Sequence, residues 1–462
     1  MVVRTSSSTR IVQRPMPADS LDKEEQMVTQ DITEGAASAR TPSAGVEEHD
    51  YSKPLVIVTS LFFMWGFLTC LNDILVPHLK SIFDLSYARV MLVQFAFFSA
   101  YFLFSIPWSK IVNAIGYQLT MVVGLLSMAV GAFLFVPAAS LASFPLFLGA
   151  LVVLALGITG LQVAANPYVV VLGKPETASS RLNLTQAFNS LGTTLAPKLG
   201  GLLILSATPL GIEELHRLSP QALHLYRVQE AASVKMPYLV IGGALVLLAL
   251  LIAQSRLPKI ETARCLPGAD LGDSIWKHPN LIFGAIGIFT YVGAEVSIGS
   301  FLVNYFGQPD IAGLPAKMAA GYVSFYWGGS MIGRFVGAGL LRKIKTGRLL
   351  AACAVATITL VTASMLTTGH IAMWSMLAVG LFNSIMFPAI FSLGLSELGC
   401  LTGNGSGILT MAIVGGAILP LLQGVIADRI GIHHAFFVPV ICYVYILFYA
   451  LSGSKPNSEH YA

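Results

Sequence analysis

The 462-residue chain is 55% hydrophobic and only 11% charged, with a mean hydropathy of +0.74. Soluble chains carry about 25% charged residues, so a soluble domain is excluded, and a small net charge of +4 spread along the chain excludes a nucleic-acid surface. The five cysteines (Cys70, Cys265, Cys353, Cys400, Cys442) are scattered without metal spacing, which leaves no basis for a zinc site or a disulfide framework.

Residues 1–53 are polar, of mixed charge and without an apolar core, so they predict a disordered cytoplasmic tail and not a secretory signal. Apolar segments follow at 54–77, 89–112, 117–137, 143–172, 181–207 and 235–254. A polar stretch, 255–278, predicts a cytoplasmic linker. Six more apolar segments lie at 279–307, 315–341, 347–367, 371–398, 403–428 and 433–452, before a short tail, 453–462. Each is long enough to cross a bilayer. The predicted architecture is an all-α integral membrane protein with twelve transmembrane helices in two pseudo-symmetric six-helix bundles, 54–254 and 279–452. An even number of crossings puts both termini on one side, and the bias of Lys and Arg toward the turns on that side makes it the cytoplasm.

The two halves read as a repeat. Pro167 and Gly173, at the end of the fourth segment, recur as Pro388 and Gly394 in the tenth. Leu191–Gly201 aligns with Val414–Gly424 with a Gly, a Pro and a Gly in register. Parallel six-helix repeats joined by a linker put a substrate site between the halves at mid-membrane.

Residues 162–201 carry amides where an apolar surface is expected. Gln162 and Asn166 share a face of the fourth segment; Asn183, Gln186, Asn189 and Thr193 follow three or four apart on the fifth. Buried amides need partners. Interhelical glue is one reading, and two facing stripes across a tight turn favour the lining of a polar cavity. Asn383, above Pro388, is the counterpart in the second half.

Charged side chains inside the bilayer are costly, about 2.5–3.5 kcal/mol each on insertion scales, and so mark function. Asp73 shares a face of the first segment with Trp65 and Thr69, a carboxylate, an aromatic ring and a hydroxyl together. Glu295 lies in the middle of the seventh segment, one turn after Tyr291, too deep to reach water. Lys198, in the fifth segment, is its natural opposite charge. Arg334 lies nearer the inner end of the eighth, where a gate ion pair suits it as well as a ligand. Tyr322, Tyr326 and Ser330 precede it at four-residue steps, a stripe that serves sugar hydroxyls or packing.

The motifs FFMWGFLTCLNDILVPHL, LQVAANPYVVVLG, RLNLTQAFNSLGTTLAP, YVGAEVSIGSFLVNY and FPAIFSLGLSELG, over about residues 54–452, resemble the fucose–galactose–glucose:proton symporter family of the major facilitator superfamily, and most of all its glucose/galactose-type members. The resemblance implies a monosaccharide importer of the bacterial inner membrane, coupled to protons through Asp73, with Gln186 and Asn189 contacting sugar. Fucose-type members carry Glu where this chain has Gln162, and Gln where it has Glu295. The expectation is that the second proton-coupling carboxylate has moved to Glu295 and that Gln162 has become a sugar hydrogen-bonder.

The full expected set is Asp73 and Glu295 for the proton, then Gln162, Asn166, Gln186, Asn189, Trp65, Tyr326 and Asn383 for the sugar, with Lys198 and Arg334 as ion-pair or gating residues. No metal site, cofactor or enzymatic motif is expected, and a monomer suffices. Fructose, fucose or N-acetylglucosamine are alternative sugars. Na⁺ is an alternative coupling ion, since a carboxylate beside amide oxygens suits either cation. A proton-driven exporter or a non-transporting sugar sensor are the remaining readings.

Overall fold

The computed structural model describes residues 52–83, 87–204, 218–232, 234–255, 257–258 and 274–455. The 1–53 tail therefore lies almost wholly outside the described residues, and the 255–278 linker does so between 259 and 273. The described chain is helical, in the order α1 (Ser52–Phe83), α2 (Tyr87–Ser140), α3 (Phe144–Val171), α4 (Ala178–Ile204), α5 (Pro220–Ala232), α6 (Lys235–Gln254), α7 (Pro279–Phe306), α8 (Ala316–Leu340), α9 (Thr346–Leu366), α10 (Gly369–Asn383), α11 (Met386–Gly394), α12 (Thr402–Met411), α13 (Gly415–Ile430), α14 (Ile432–Ala435) and α15 (Phe437–Phe448). Among the described residues, eight helical stretches are long and apolar enough to cross a membrane.

The predicted segments match these elements to within a few residues in most cases, and the differences have local causes. The second and third segments are two helices that meet at Gly116 without an intervening loop, together α2, whose apolar part (Phe95–Ser140) spans 46 residues. At 1.5 Å per residue the two helices together measure about 70 Å, enough for two crossings of a core about 30 Å thick. The chain reverses at Gly116 (φ 80°, ψ 170°), a conformation that a side chain would strain. The tenth segment is broken between α10 and α11, two residues before Pro388 begins to act.

Proline explains where the halves find partners. A helical proline leaves the carbonyl four residues earlier without its usual N–H. Pro167 frees Val163 O, which accepts from Ser406 Oγ at 2.9 Å. Pro388 frees Ser384 O, which accepts from Arg334 Nε at 3.3 Å. The two prolines equated in the sequence thus each present a bare carbonyl, one to α12 and the other to α8.

The aligned glycines also do the same work. A Cβ on Gly192 of α4 would stand 2.3 Å from Phe63 O of α1; one on Gly415 of α13 would stand 2.1 Å from Phe289 O of α7. Each lets two backbones touch, which is how membrane helices associate where burial drives little.

The turn between α3 and α4 is closed by Arg181. Its Nε and Nη2 donate to Val169 O (3.2 Å) and Val170 O (2.8 Å), and Nη1 donates to Lys174 O (2.8 Å). A cation on the last carbonyls of a helix also opposes its dipole. Arg181→Ala is expected to destabilise the protein by about 1.5–3 kcal/mol, the range for hydrogen bonds to a charged group. Thermal melting in detergent measures it; an unchanged transition would show that the cap contributes nothing.

Candidate functional site

The amides of α3 and α4 meet. Gln186 Nε2 donates to Asn166 Oδ1 at 3.4 Å, and Gln162 Nε2 donates to Tyr101 Oη of α2 at 2.7 Å. All three amide residues are buried. Asn166 Nδ2 has no hydrogen-bond partner although it is fully enclosed. A buried donor left unpaired costs about 1–3 kcal/mol, so a polar group not belonging to these helices is called for there.

The stripe on α4 does not act as one surface. Each three-residue step falls about 60° short of a full turn, so Asn183, Gln186 and Asn189 fan out. Asn183 Nδ2 donates to Arg334 O of α8 at 2.6 Å, Gln186 turns to α3, and Asn189 Nδ2 donates to Phe62 O of α1 at 2.9 Å. Asn183 is interhelical glue; Gln186 and Asn189 are the members left near the space between helices. Trp65 follows Phe62 by three residues on α1, its ring tilted against Phe62 at 5.4 Å and 7% exposed.

Among the described residues, Glu295 meets Arg334. Its Oε1 lies 4.0 Å from Arg334 Nη2 and accepts from Tyr291 Oη at 2.8 Å. Arg334 is no snorkelling surface residue: both side chains of the pair are only 13% exposed. Its Nη1 donates across to α4, to Gln186 O (3.4 Å) and to Ser190 Oγ. The guanidinium therefore touches the proposed proton site and the helix of the amides at once. The side chains of Lys198, Asp73 and Thr69 lie outside the described residues.

Tyr326 and Asn383 form a supporting layer. Asn383 Nδ2 donates to Tyr326 Oη at 2.9 Å, and Tyr291 Oη also donates to Asn383 O at 3.0 Å. Both Tyr326 and Asn383 are fully buried, so in this conformation they are enclosed behind Glu295 and offer no surface to a sugar. The Tyr322 ring packs edge-on against Trp374 at 6.1 Å, so that part of the aromatic stripe is packing.

Polar contacts hold the first half (52–255) to the second (274–455) toward the end that carries the linker. Asn113 Nδ2 donates to Asn404 Oδ1 at 2.7 Å; Ser180 Oγ donates to Ala338 O at 2.6 Å; Ser179 Oγ and Ser392 Oγ share a hydrogen bond at 2.6 Å. Together with Ser406–Val163, these bonds close that end.

Tyr101 and Ser190 escaped the sequence reading. Tyr101 stands in FAFFSAYFLF, an aromatic run with no polar periodicity to mark it. Ser190 stands four residues after Gln186, on the same spacing, but a serine that bonds back to the carbonyl of its own helix, here Gln186 O, does not stand out as an amide does.

The model of the Major Facilitator Superfamily matches residues 57–413. The glucose/galactose transporter of Brucella abortus is 54% identical over 408 residues, covering 88% of this chain and 96% of that protein. The L-fucose-proton symporter of Escherichia coli is 34% identical over 416 residues, covering 88% and 95%. A crystal structure of the Escherichia coli fucose:proton symporter superposes with a TM-score of 0.81 at 33% identity, over 88% of this chain and all of that one. With the fold, the paired prolines and glycines and the amide-lined helix pair in place, the chain belongs to the Major Facilitator Superfamily and, within it, to the fucose–galactose–glucose:proton symporter family.

Proposed function

We propose that this protein imports a monosaccharide of the glucose/galactose type together with a proton, by alternating access. The observation that carries the reading is the buried amide group Gln162–Asn166–Gln186, with the unpaired Asn166 Nδ2, next to an enclosed carboxylate–guanidinium pair. Neutral amides both donate and accept, as sugar hydroxyls do, and Trp65 supplies a ring for an apolar sugar face. The names of the relatives, transporters of glucose, galactose and fucose, support the same class.

In this reading α1, α4, α8 and the doubled α2 bring the crossings to twelve, in six-helix halves 54–254 and 279–452. Both termini and the linker lie in the cytoplasm of a bacterial cell, in the inner membrane, and the monomer is the working unit. The polar contacts at the linker end make the described conformation closed toward the cytoplasm. Asp73 and Glu295 carry the proton; loading them and the sugar together permits the halves to rock. Gln162, Asn166, Gln186 and Asn189 hold the sugar, while Tyr326 and Asn383 steady Glu295. No bond in the sugar changes, so the protein is a carrier and not an enzyme.

Gln186→Ala is expected to raise the KM for glucose or galactose about tenfold, the worth of one neutral hydrogen bond of about 1–1.5 kcal/mol. Uptake of labelled sugar measures it. An unchanged KM with Gln186 and Asn189 both replaced by Ala would remove the sugar from this site and favour the exporter.

A further inference from the structure

Glu295, read above as a proton site, must also release that proton, and one residue is placed to force the release. We propose that Arg334 is the positioning residue that times proton release: α4 and Glu295 share it while the linker end is closed, and opening of that end delivers it to Glu295. The inference rests on the reading of Glu295 as a coupling carboxylate.

Pro388 leaves Ser384 O bare, and Arg334 Nε donates to it, which pins the guanidinium to its own half of the molecule. Glu295 is in the same half, so the two travel together. Across the gap, Nη1 is held by Gln186 O and Ser190 Oγ of α4. With those contacts made, Nη2 stands 4.0 Å from Oε1, well beyond the roughly 2.7–2.9 Å of a charge-assisted hydrogen bond. The carboxylate is instead hydrogen-bonded by Tyr291.

Opening the linker end must separate α4 from α8, and with it both acceptors on α4. A buried cation stripped of partners is expensive, and among the described residues the anion nearest to Arg334 is Glu295. Closing on it favours the ionised carboxylate, so the proton departs toward the linker side, which is then open. Among the described residues, the other titratable groups facing Glu295 are Tyr291 on its own helix, Tyr326 of α8 and Tyr443 of α15. None of these is a cation. Asn383 of α10 presents only an amide. Gly415 sits on Phe289, and a Cβ on Gly293 would meet Leu419, so this register puts Leu421 level with Glu295. The charged Asp428 and Arg429 of α13 fall about two turns farther along.

The test uses the full chain in proteoliposomes, with Arg334→Gln and Glu295→Gln compared for two activities: equilibrium exchange of labelled galactose, which needs no net proton release, and net uptake driven by a pH gradient. Arg334→Gln is expected to keep exchange and to lose net uptake by at least about tenfold, the effect of roughly one unit of proton affinity from a neighbouring opposite charge. Its net uptake should recover as the linker side is made alkaline, whereas Glu295→Gln should not respond. Net uptake by Arg334→Gln at the wild-type rate overturns the proposal. So does loss of exchange along with uptake, or failure to recover at alkaline pH, since either makes Arg334 a structural gate. Normal accumulation by Glu295→Gln would instead refute the proton-site reading beneath it.

Discussion

Replacing Glu295 with Gln is expected to abolish uphill accumulation of sugar while equilibrium exchange continues. The amide keeps the shape and can still accept from Tyr291, but it has no proton to release, so the carrier cannot return empty and deprotonated. Orphaning a buried charge usually costs about 3–5 kcal/mol. The loss here should be smaller, because Arg334 keeps three other acceptors, Ser384 O, Gln186 O and Ser190 Oγ. The phenotype should therefore be functional and not a failure to fold. Accumulation ratio and exchange rate, read on the same proteoliposomes, separate the two. Full accumulation in the variant would put the coupling carboxylate elsewhere.

The second large effect is steric. In Gly192→Val, the Cβ alone would enter to 2.3 Å from Phe63 O, a distance that forces α1 away from α4. Gly66 faces the same seam from the other side, where a Cβ would lie 2.1 Å from Asn189 O. The displacement would break the bond from Asn189 Nδ2 to Phe62 O and carry Trp65, on the same helix as Phe62, away from α4. Overpacking of a tight contact costs about 1–3 kcal/mol, and here the strain falls on the proposed sugar site. Gly192→Val should lower the melting transition in detergent and lose both exchange and net uptake, in contrast to Glu295→Gln. Wild-type exchange in the variant would show that the α1–α4 seam is looser than its geometry.

Much of this was legible in the sequence because bilayer physics leaves few options. Apolar runs of about 20 residues must be helices, and the in-register Gly and Pro pairs pointed to duplicated contacts that Gly192 and Gly415 make. The amides and Glu295 stood out against an apolar background for the same reason. What stayed hidden is pairwise geometry. Spacing alone joined Asn183 to Gln186 and Asn189 as one stripe; helical precession sends them to three different helices. Spacing offered Lys198 as the counter-charge of Glu295 and left Arg334 as a gate residue; that Arg334 also reaches Glu295 depends on how α7 and α8 pack. Tyr326 read equally as lining or packing, and only its burial behind Asn383 separates the two.

The most direct test of the central claim is the external pH of lightly buffered, energy-depleted cells after single sugars are added, with and without Na⁺. Coupled import predicts alkalinisation on adding glucose or galactose, independent of Na⁺ and absent in Asp73→Asn. Sugar entry that requires Na⁺ and moves no proton would contradict proton coupling, and no response to any monosaccharide would contradict sugar import itself.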